Sequence, residues 1–114
     1  MDTREKIIDA AQAARIAQDG AVVVSGYFDP MTAGLAERLV QLKQNGKLLL
    51  VLIRTPGDAI LPARARAQLV AALRVVDVVC DEQLTLDVAH KLETEHRRQF
   101  ARLVAHVHQR QKAK

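Results

Sequence analysis

Apolar residues in the first 80 positions follow two alternating patterns. Short continuous apolar runs, such as the one over 21–25, are typical of strands buried on both faces of a parallel sheet. Between these runs, apolar residues recur at steps of three and four, as in Leu35, Leu39 and Leu42, which is the spacing of an amphipathic helix. The pattern predicts helices over 3–18 and 33–44, a third helix that begins at Pro62, and strands over 21–25, 47–53 and 75–80.

This alternation predicts an α/β fold, in which helices connect parallel strands through right-handed crossovers. After residue 83 the strand pattern ends, and steps of three and four between residue 84 and about residue 111 predict one helix. A helix of about 25 residues would be roughly 38 Å long at about 1.5 Å per residue. We therefore expect a single domain over 1–114, with an α/β body over 1–83 and a C-terminal helix over 84–114. The apolar stripe of that helix comprises Val88, Leu92, His96, Phe100, Leu103 and Val107.

Composition narrows the class of protein. Hydrophobic residues make up 49% of the chain, enough to build a core, but only 3% of residues are aromatic. No apolar run approaches the ~18 residues of a membrane helix, and no signal-peptide pattern begins the chain, so we expect a cytoplasmic protein without a membrane partner. The single cysteine, Cys80, rules out an internal disulfide, and we interpret it as an inert core thiol.

The net charge of +4 comes from the last third of the chain, since residues 84–114 hold seven basic and three acidic side chains. A cationic helix end complements the helix dipole. We do not expect a nucleic-acid partner, because Phe100 is the single aromatic side chain of this segment, which therefore lacks the aromatic platforms on which bases stack. No metal site is expected either, because no two histidines are three or four positions apart. The histidines are His90, His96, His106 and His108.

The exit from the first strand carries the most functional information. There, Gly26-Tyr-Phe-Asp29 precedes Pro30-Met-Thr-Ala-Gly-Leu35. A buried strand that runs through glycine into a helix N-terminus is a phosphate-binding geometry, because free N–H groups face the ligand. The stretch resembles the G-x-F-D-x-x-H-x-G-H signature of cytidylyltransferase-like nucleotidyltransferases, of the heptose-phosphate adenylyltransferase and glycerol-phosphate cytidylyltransferase type. The similarity extends to about residue 80, where Val76-Asp-Val-Val79 is similar to the family's V-D-x-V strand.

The resemblance implies a three-layer Rossmann-like nucleotidyltransferase fold that binds CTP or ATP with Mg²⁺. In the family, the two signature histidines stabilise charge on the phosphates, and this chain has Thr32 and Leu35 at their positions. Loss of one such donor typically lowers the rate by ~10²–10³. The family's I-S-S/T-T-x-R segment, a further phosphate contact, has no counterpart after Cys80. The candidate nucleotide or phosphate-binding residues are Gly26, Tyr27, Phe28, Asp29, Thr32, Gly34 and Arg54.

Four of the charged residues have both a structural and a functional interpretation. Asp29 is interpreted as an acceptor that caps a turn or helix, more than as an acid catalyst. Arg54 ends the second strand at the carboxyl edge, where ligands of doubly wound sheets bind; its alternative is a solvated loop arginine. Arg64 and Arg66 either contact phosphate or belong to the exposed face of the third helix, whose inward side is formed by Leu69, Val70 and Leu73.

We expect a catalytically degenerate nucleotidyltransferase-like protein that retains nucleotide or anion binding at the strand-one turn. The alternatives are a non-enzymatic dimerising module and an active transferase that uses other residues. In the family, strand one is central, so three strands leave one edge of the run over 22–24 open to association unless it is covered. We therefore predict a homodimer whose interface includes residues 84–111, with a monomer whose helix folds back over the sheet as the alternative.

Overall fold

The computed structural model describes residues 3–93, and within that range short parallel strands alternate with helices. A 3₁₀ turn (Thr3–Lys6) comes first. The α-helices of this range are α1 (Ala10–Gln18), α2 (Ala33–Leu42) and α3 (Ala63–Ala71), and its strands are β1 (Val22–Gly26), β2 (Leu49–Ile53), β3 (Val78–Cys80) and β4 (His90–Lys91).

The four strands form one sheet in the order β3-β2-β1-β4, and every pair is parallel. β1 pairs with β2 over five positions, with Val24 opposite Val51. All residues of β1 and β2 are buried, as the continuous apolar runs require. The predicted α/β fold with a parallel sheet is confirmed.

Two hydrophobic clusters lie on opposite faces of the sheet, so that the sheet is the middle of three layers. Val22 and Val24 belong to the cluster that includes Leu39 of α2 and Val70 of α3. Val23 points the other way and belongs to the second cluster, as does Ala13 of α1. This alternation follows from the two-residue period of a strand. Leu69 of α3, which the helical spacing predicted to face inward, is 47% exposed.

The helix predicted over 3–18 is wrong for its first part. Ile7 forms a parallel bridge with Val79, and the Ile8 N–H donates to the carbonyl of Val79 at 2.8 Å. The helix starts only after Asp9, whose carboxylate accepts the Gln12 N–H at 2.8 Å while the Gln12 side chain accepts the Asp9 N–H at 3.2 Å. This capping box fixes the start of α1 and leaves the preceding residues free to cover the edge of β3.

The helix predicted from residue 84 is also wrong over 84–92, where the chain is not helical and contains the two-residue strand β4. Leu84, Leu86 and Val88 pack on the second face of the sheet at every other position. The N–H of Ala89 donates to the carbonyl of Val23 at 2.9 Å, which anchors the start of β4 on β1. The remainder of the predicted helix, with His96, Phe100, Leu103, Val107 and the last two histidines, lies outside the described residues.

β4 covers the strand edge whose expected exposure led to the prediction of a dimer. Val24 pairs with His90 and Ser25 with Lys91, so the edge of β1 expected to be open has a neighbour within the same chain. The homodimer itself stays a prediction. Within residues 3–93, no helix is long and apolar enough to cross a lipid bilayer.

Candidate functional site at the carboxyl edge of the sheet

Gly26 and Phe28 set the backbone path out of β1. Phe28 is fully buried and has a φ of 50°, in the left-handed region. Its ring packs so closely on Gly26 that a Cβ atom there would lie 2.6 Å from the ring carbon Cε2. Only glycine leaves room for this packing. These two signature residues therefore shape the turn from inside the core.

Asp29 ties together the two loops at the carboxyl ends of β1 and β2. One carboxylate oxygen accepts the N–H of Ile60 at 2.6 Å, and the other accepts the N–H of Leu61 at 2.9 Å. The Asp29 side chain is buried, and the peptide bond to Pro30 is cis. Asp29 therefore accepts backbone N–H groups, and these two donors belong to the loop after β2, whereas the sequence predicted an acceptor that caps a turn or helix.

The two positions at which the family has histidines hold structural side chains. Thr32 is the N-cap of α2, and its hydroxyl oxygen accepts the Leu35 N–H at 3.2 Å. Leu35 is 1% exposed and belongs to the core beneath α2. Gly34 lies exposed in the first turn of the helix. Neither Thr32 nor Leu35 supplies the imidazole donor that the signature places there.

Arg66 is fully buried, which contradicts its predicted place on an exposed helix face. Its guanidinium donates to the carbonyls of Leu61 (3.0 Å), Tyr27 (2.9 Å) and Arg54 (2.6 Å). A fourth bond runs from Nη2 to the hydroxyl oxygen of Thr55 at 2.9 Å. The planar fork of arginine suits acceptors spread over several segments. Arg66 therefore holds the loops after β1 and β2 to the segment that leads into α3.

Arg64, by contrast, is exposed and pairs with Asp81, with 2.8 Å between Nε and the carboxylate. The two arginines, two positions apart on one helix, thus differ in burial and partners. Of the two, Arg64 fits the predicted exposed face.

A cleft of about 630 Å³ opens where β1, β2 and β4 end. The strand order reverses here, since β2 and β4 lie on opposite sides of β1, and such a point is the usual ligand crevice of a doubly wound sheet. The extended segment before β4 forms an apolar wall with Leu84, Leu86 and Val88. The polar residues of the lining are Ser25, Tyr27, Arg54, Thr55, Thr85, Lys91 and Glu93.

The cleft contains two cationic side chains and one carboxylate with an unused acceptor. Nη1 of Arg54 donates to the carbonyl of Leu84 at 2.6 Å, which fixes the guanidinium against the apolar wall. Lys91 is exposed at the end of β4. Oε2 of Glu93 is buried and has no hydrogen-bond partner. A buried acceptor without a donor is costly, and because this oxygen is closed to solvent it is not itself an accessible ligand contact.

Of the predicted site residues, the cleft brings together Tyr27 and Arg54. Gly26, Phe28, Asp29, Thr32 and Gly34 surround the β1–α2 turn but are not among the described lining residues. The sequence reasoning missed Thr55, Lys91 and Glu93. Thr55 follows Arg54 at the same strand end, so the same rule on carboxyl edges would have selected it, whereas the other two required β4 to be recognised.

Cys80 is buried, and desolvation raises the pKa of its thiol. A backbone hydrogen bond with Glu82 lowers the pKa and so opposes this shift, and the charges of Glu82, Asp81 and Asp9 add to it. Within residues 3–93, no cluster of three or more His, Cys, Asp or Glu side chains could hold a metal ion.

Neither a scan against protein-family models nor a search of curated proteins finds a match to this chain. The resemblance to nucleotidyltransferases therefore rests on the motif residues.

Asp77 of the V-D-x-V stretch joins two segments of the sheet. Its carboxylate accepts the Leu49 N–H at 2.7 Å and pairs with Lys43 at 2.6 Å. Asp77 thereby joins the start of β2 to the segment before β3.

Proposed function

We propose that the chain is a nucleotidyltransferase-like protein of Rossmann-like fold that binds a nucleotide, CTP or ATP, without efficient nucleotidyl transfer. The observation that carries the proposal is the cleft at the strand-order reversal, whose lining combines two cationic side chains with the carboxylate of Glu93. Its volume of about 630 Å³ lies within the usual range for small-molecule sites, roughly 300–1,000 Å³.

The polar groups of the cleft match the two ends of a nucleotide. Arg54 has five N–H donors, and Leu84 is the partner of one of its nitrogen atoms, so further donors can reach a phosphate. Lys91 adds a second positive charge. Glu93 also lines the cleft, and its carboxylate can accept hydrogen bonds from ribose hydroxyls, whereas a bare anion has no donor to offer it. This pairing of donors and acceptor favours a nucleotide over an inorganic anion.

The β1 turn supports the loss of efficient transfer. Catalysis of phosphoryl and nucleotidyl transfer depends on preorganised donors at the developing charge. Thr32 is engaged in capping α2, and Leu35 belongs to the core. The turn thus retains the residues that shape the backbone and lacks both imidazoles.

The test is calorimetric titration with CTP, ATP and pyrophosphate, with and without Mg²⁺, backed by thermal unfolding. Lys91→Ala should weaken nucleotide binding, and Lys47→Ala is the matched control, because Lys47 is an exposed lysine near the opposite end of β2. A nucleotide at 100 Kd should stabilise the native state by about 2.7 kcal/mol. Glu93→Gln should weaken CTP or ATP binding and leave pyrophosphate binding unchanged. No binding of either nucleotide, or equal effects of the two lysine substitutions, would overturn the proposal.

An apolar groove on the outer side of α2 favours the dimerising module as a second candidate. The groove, about 450 Å³, is lined by Val40, which is 61% exposed, and by Leu73 and Val75. Glu37 and Arg74 also line it, so two copies related by a two-fold axis could exchange ion pairs around a shared apolar centre. Light scattering on the full chain tests this candidate: Val40→Asp should convert a dimer to a monomer, and a monomeric native protein rejects it.

A further inference from the structure

Arg66 places a buried positive charge directly beneath the cleft. Three of its four hydrogen bonds go to residues that line the cleft, namely Tyr27, Arg54 and Thr55. All four acceptors are neutral oxygens, so these bonds orient the guanidinium without cancelling its charge. A cation buried among neutral dipoles creates a positive potential in the adjoining cleft.

The bond from Arg66 also fixes the direction of the Thr55 hydroxyl. A hydroxyl group has one donor hydrogen and two acceptor lone pairs. Because Nη2 of Arg66 donates to Oγ1 of Thr55 at 2.9 Å, the Thr55 hydrogen must point away from the guanidinium. The Thr55 residue is exposed, and it lines the cleft next to Arg54. Its hydroxyl is therefore a donor directed away from the buried side.

We propose that Thr55, oriented by Arg66, donates a hydrogen bond to a phosphoryl oxygen of the ligand and thereby fixes which way the ligand lies. The inference rests on the proposed nucleotide binding. The phosphates lie at the end of β2, beside Arg54 and Thr55, and the nucleoside lies towards Glu93 at the end of β4. Thr55 is a specificity-determining residue of the site, and Arg66 is a positioning residue that acts through it.

The test compares Thr55→Val with Thr85→Val, since Thr85 is also exposed and lines the cleft but does not accept from Arg66. Thr55→Val should weaken pyrophosphate and CTP or ATP binding about tenfold or more, the usual effect of a hydrogen bond to a charged group. Thr55→Ser, which keeps the hydroxyl, should restore binding, and Thr85→Val should leave it nearly unchanged. Thermal unfolding checks that each variant is folded; should Thr55→Val fail to fold, Thr55→Ala replaces it.

The probes separate the two ends of the ligand. Thr55→Val should leave the binding of free cytidine or adenosine unchanged, and Glu93→Gln should weaken it. For pyrophosphate, Thr55→Val should weaken binding and Glu93→Gln should leave it unchanged. If the native protein binds nucleotides and Thr55→Val binds them equally well, the assignment of Thr55 is overturned and the nucleotide site stands. The assignment is likewise overturned if Thr55→Ser binds as weakly as Thr55→Val. If the native protein binds no nucleotide, both the proposed function and this inference are overturned.

Discussion

Replacement of Arg66 by methionine tests how the carboxyl edge of the sheet is held together. Methionine fills a similar volume but removes all four hydrogen bonds of the buried guanidinium. Hydrogen bonds to charged groups contribute about 1.5 to 3 kcal/mol each, so four contribute about 6 to 12 kcal/mol. Desolvation of the charge offsets several kcal/mol. We expect a net loss of about 3 to 5 kcal/mol, because the substitution leaves three backbone carbonyls without their donor, at about 1 to 3 kcal/mol for each buried group.

The free energy of unfolding is measured by urea denaturation followed by circular dichroism. Arg64→Met is the matched control, because Arg64 lies on the same helix and its side chain is 63% exposed, while the side chain of its partner Asp81 is 8% exposed. An ion pair with one exposed partner contributes about 1 kcal/mol, so the control should lose clearly less stability than Arg66→Met. A loss below about 1 kcal/mol in Arg66→Met, or an equal loss in the control, would refute this account of the buried guanidinium.

Three further predictions concern the turn, the core and the chemistry. Gly26→Ala should lower the unfolding free energy by about 1 to 3 kcal/mol through overpacking, whereas Gly57→Ala, whose Cβ would have no neighbour within 4 Å, should not; equal melting temperatures would contradict this. Because the folded-state pKa of Cys80 is raised, its stabilising contribution is complete below about pH 8.5 and falls as the pH rises above that value. The urea midpoint should therefore drop between about pH 7.5 and pH 10 more in the native protein than in Cys80→Ala, and parallel curves would disprove the linkage. Thr32→His combined with Leu35→His should not create transferase activity and should destabilise the chain, since Leu35 is 1% exposed; pyrophosphate release from CTP or ATP near ~1 s⁻¹ would show otherwise.

The central strands could be predicted from the sequence because strands buried on both faces consist of continuous apolar runs, and such runs can be recognised locally. Helices cover both faces of β1 and β2, so every residue of these two strands is apolar or small. A helical period of three and four therefore does not fit these runs better than a strand does. The predicted strand over 47–53 agrees with the observed Leu49–Ile53 to within two residues. Phosphate-binding geometry at the first strand exit led to Tyr27, which does line the cleft.

β4 could not be recognised in the same way, because two periodicities overlap where it lies. Leu84, Leu86 and Val88 alternate at period two, as in an extended chain, while Val88 and Leu92 also fit a helical step of four. Pairing with the free edge of β1 decides between them, and that contact is distant in sequence. A local pattern carries no information about such an edge.

The burial of Arg66 could not be predicted either, because its contacts are also distant in sequence. Its acceptors come from the loops after β1 and β2 and from the segment before α3, so no short stretch of sequence contains them. An arginine on a helix is ordinarily exposed, and the charge pattern of α3 gave no sign of an exception. The assembled loops, and not the helix, determine its position.

The short pairing of β4 makes one side of the cleft easier to open than the other. β4 pairs with β1 through two residues, whereas β2 pairs with it through five. Small paired segments open locally, so their amide hydrogens exchange with solvent faster than those of the cooperative core. The Leu92 amide donates to the Ser25 carbonyl at 2.8 Å, directly before Glu93. A ligand that requires this strand in place must slow hydrogen exchange at Leu92 by a factor of 1 + [L]/Kd, because each opening that frees this amide also disrupts the site. Occupancy of the site can thus be read from a single backbone amide.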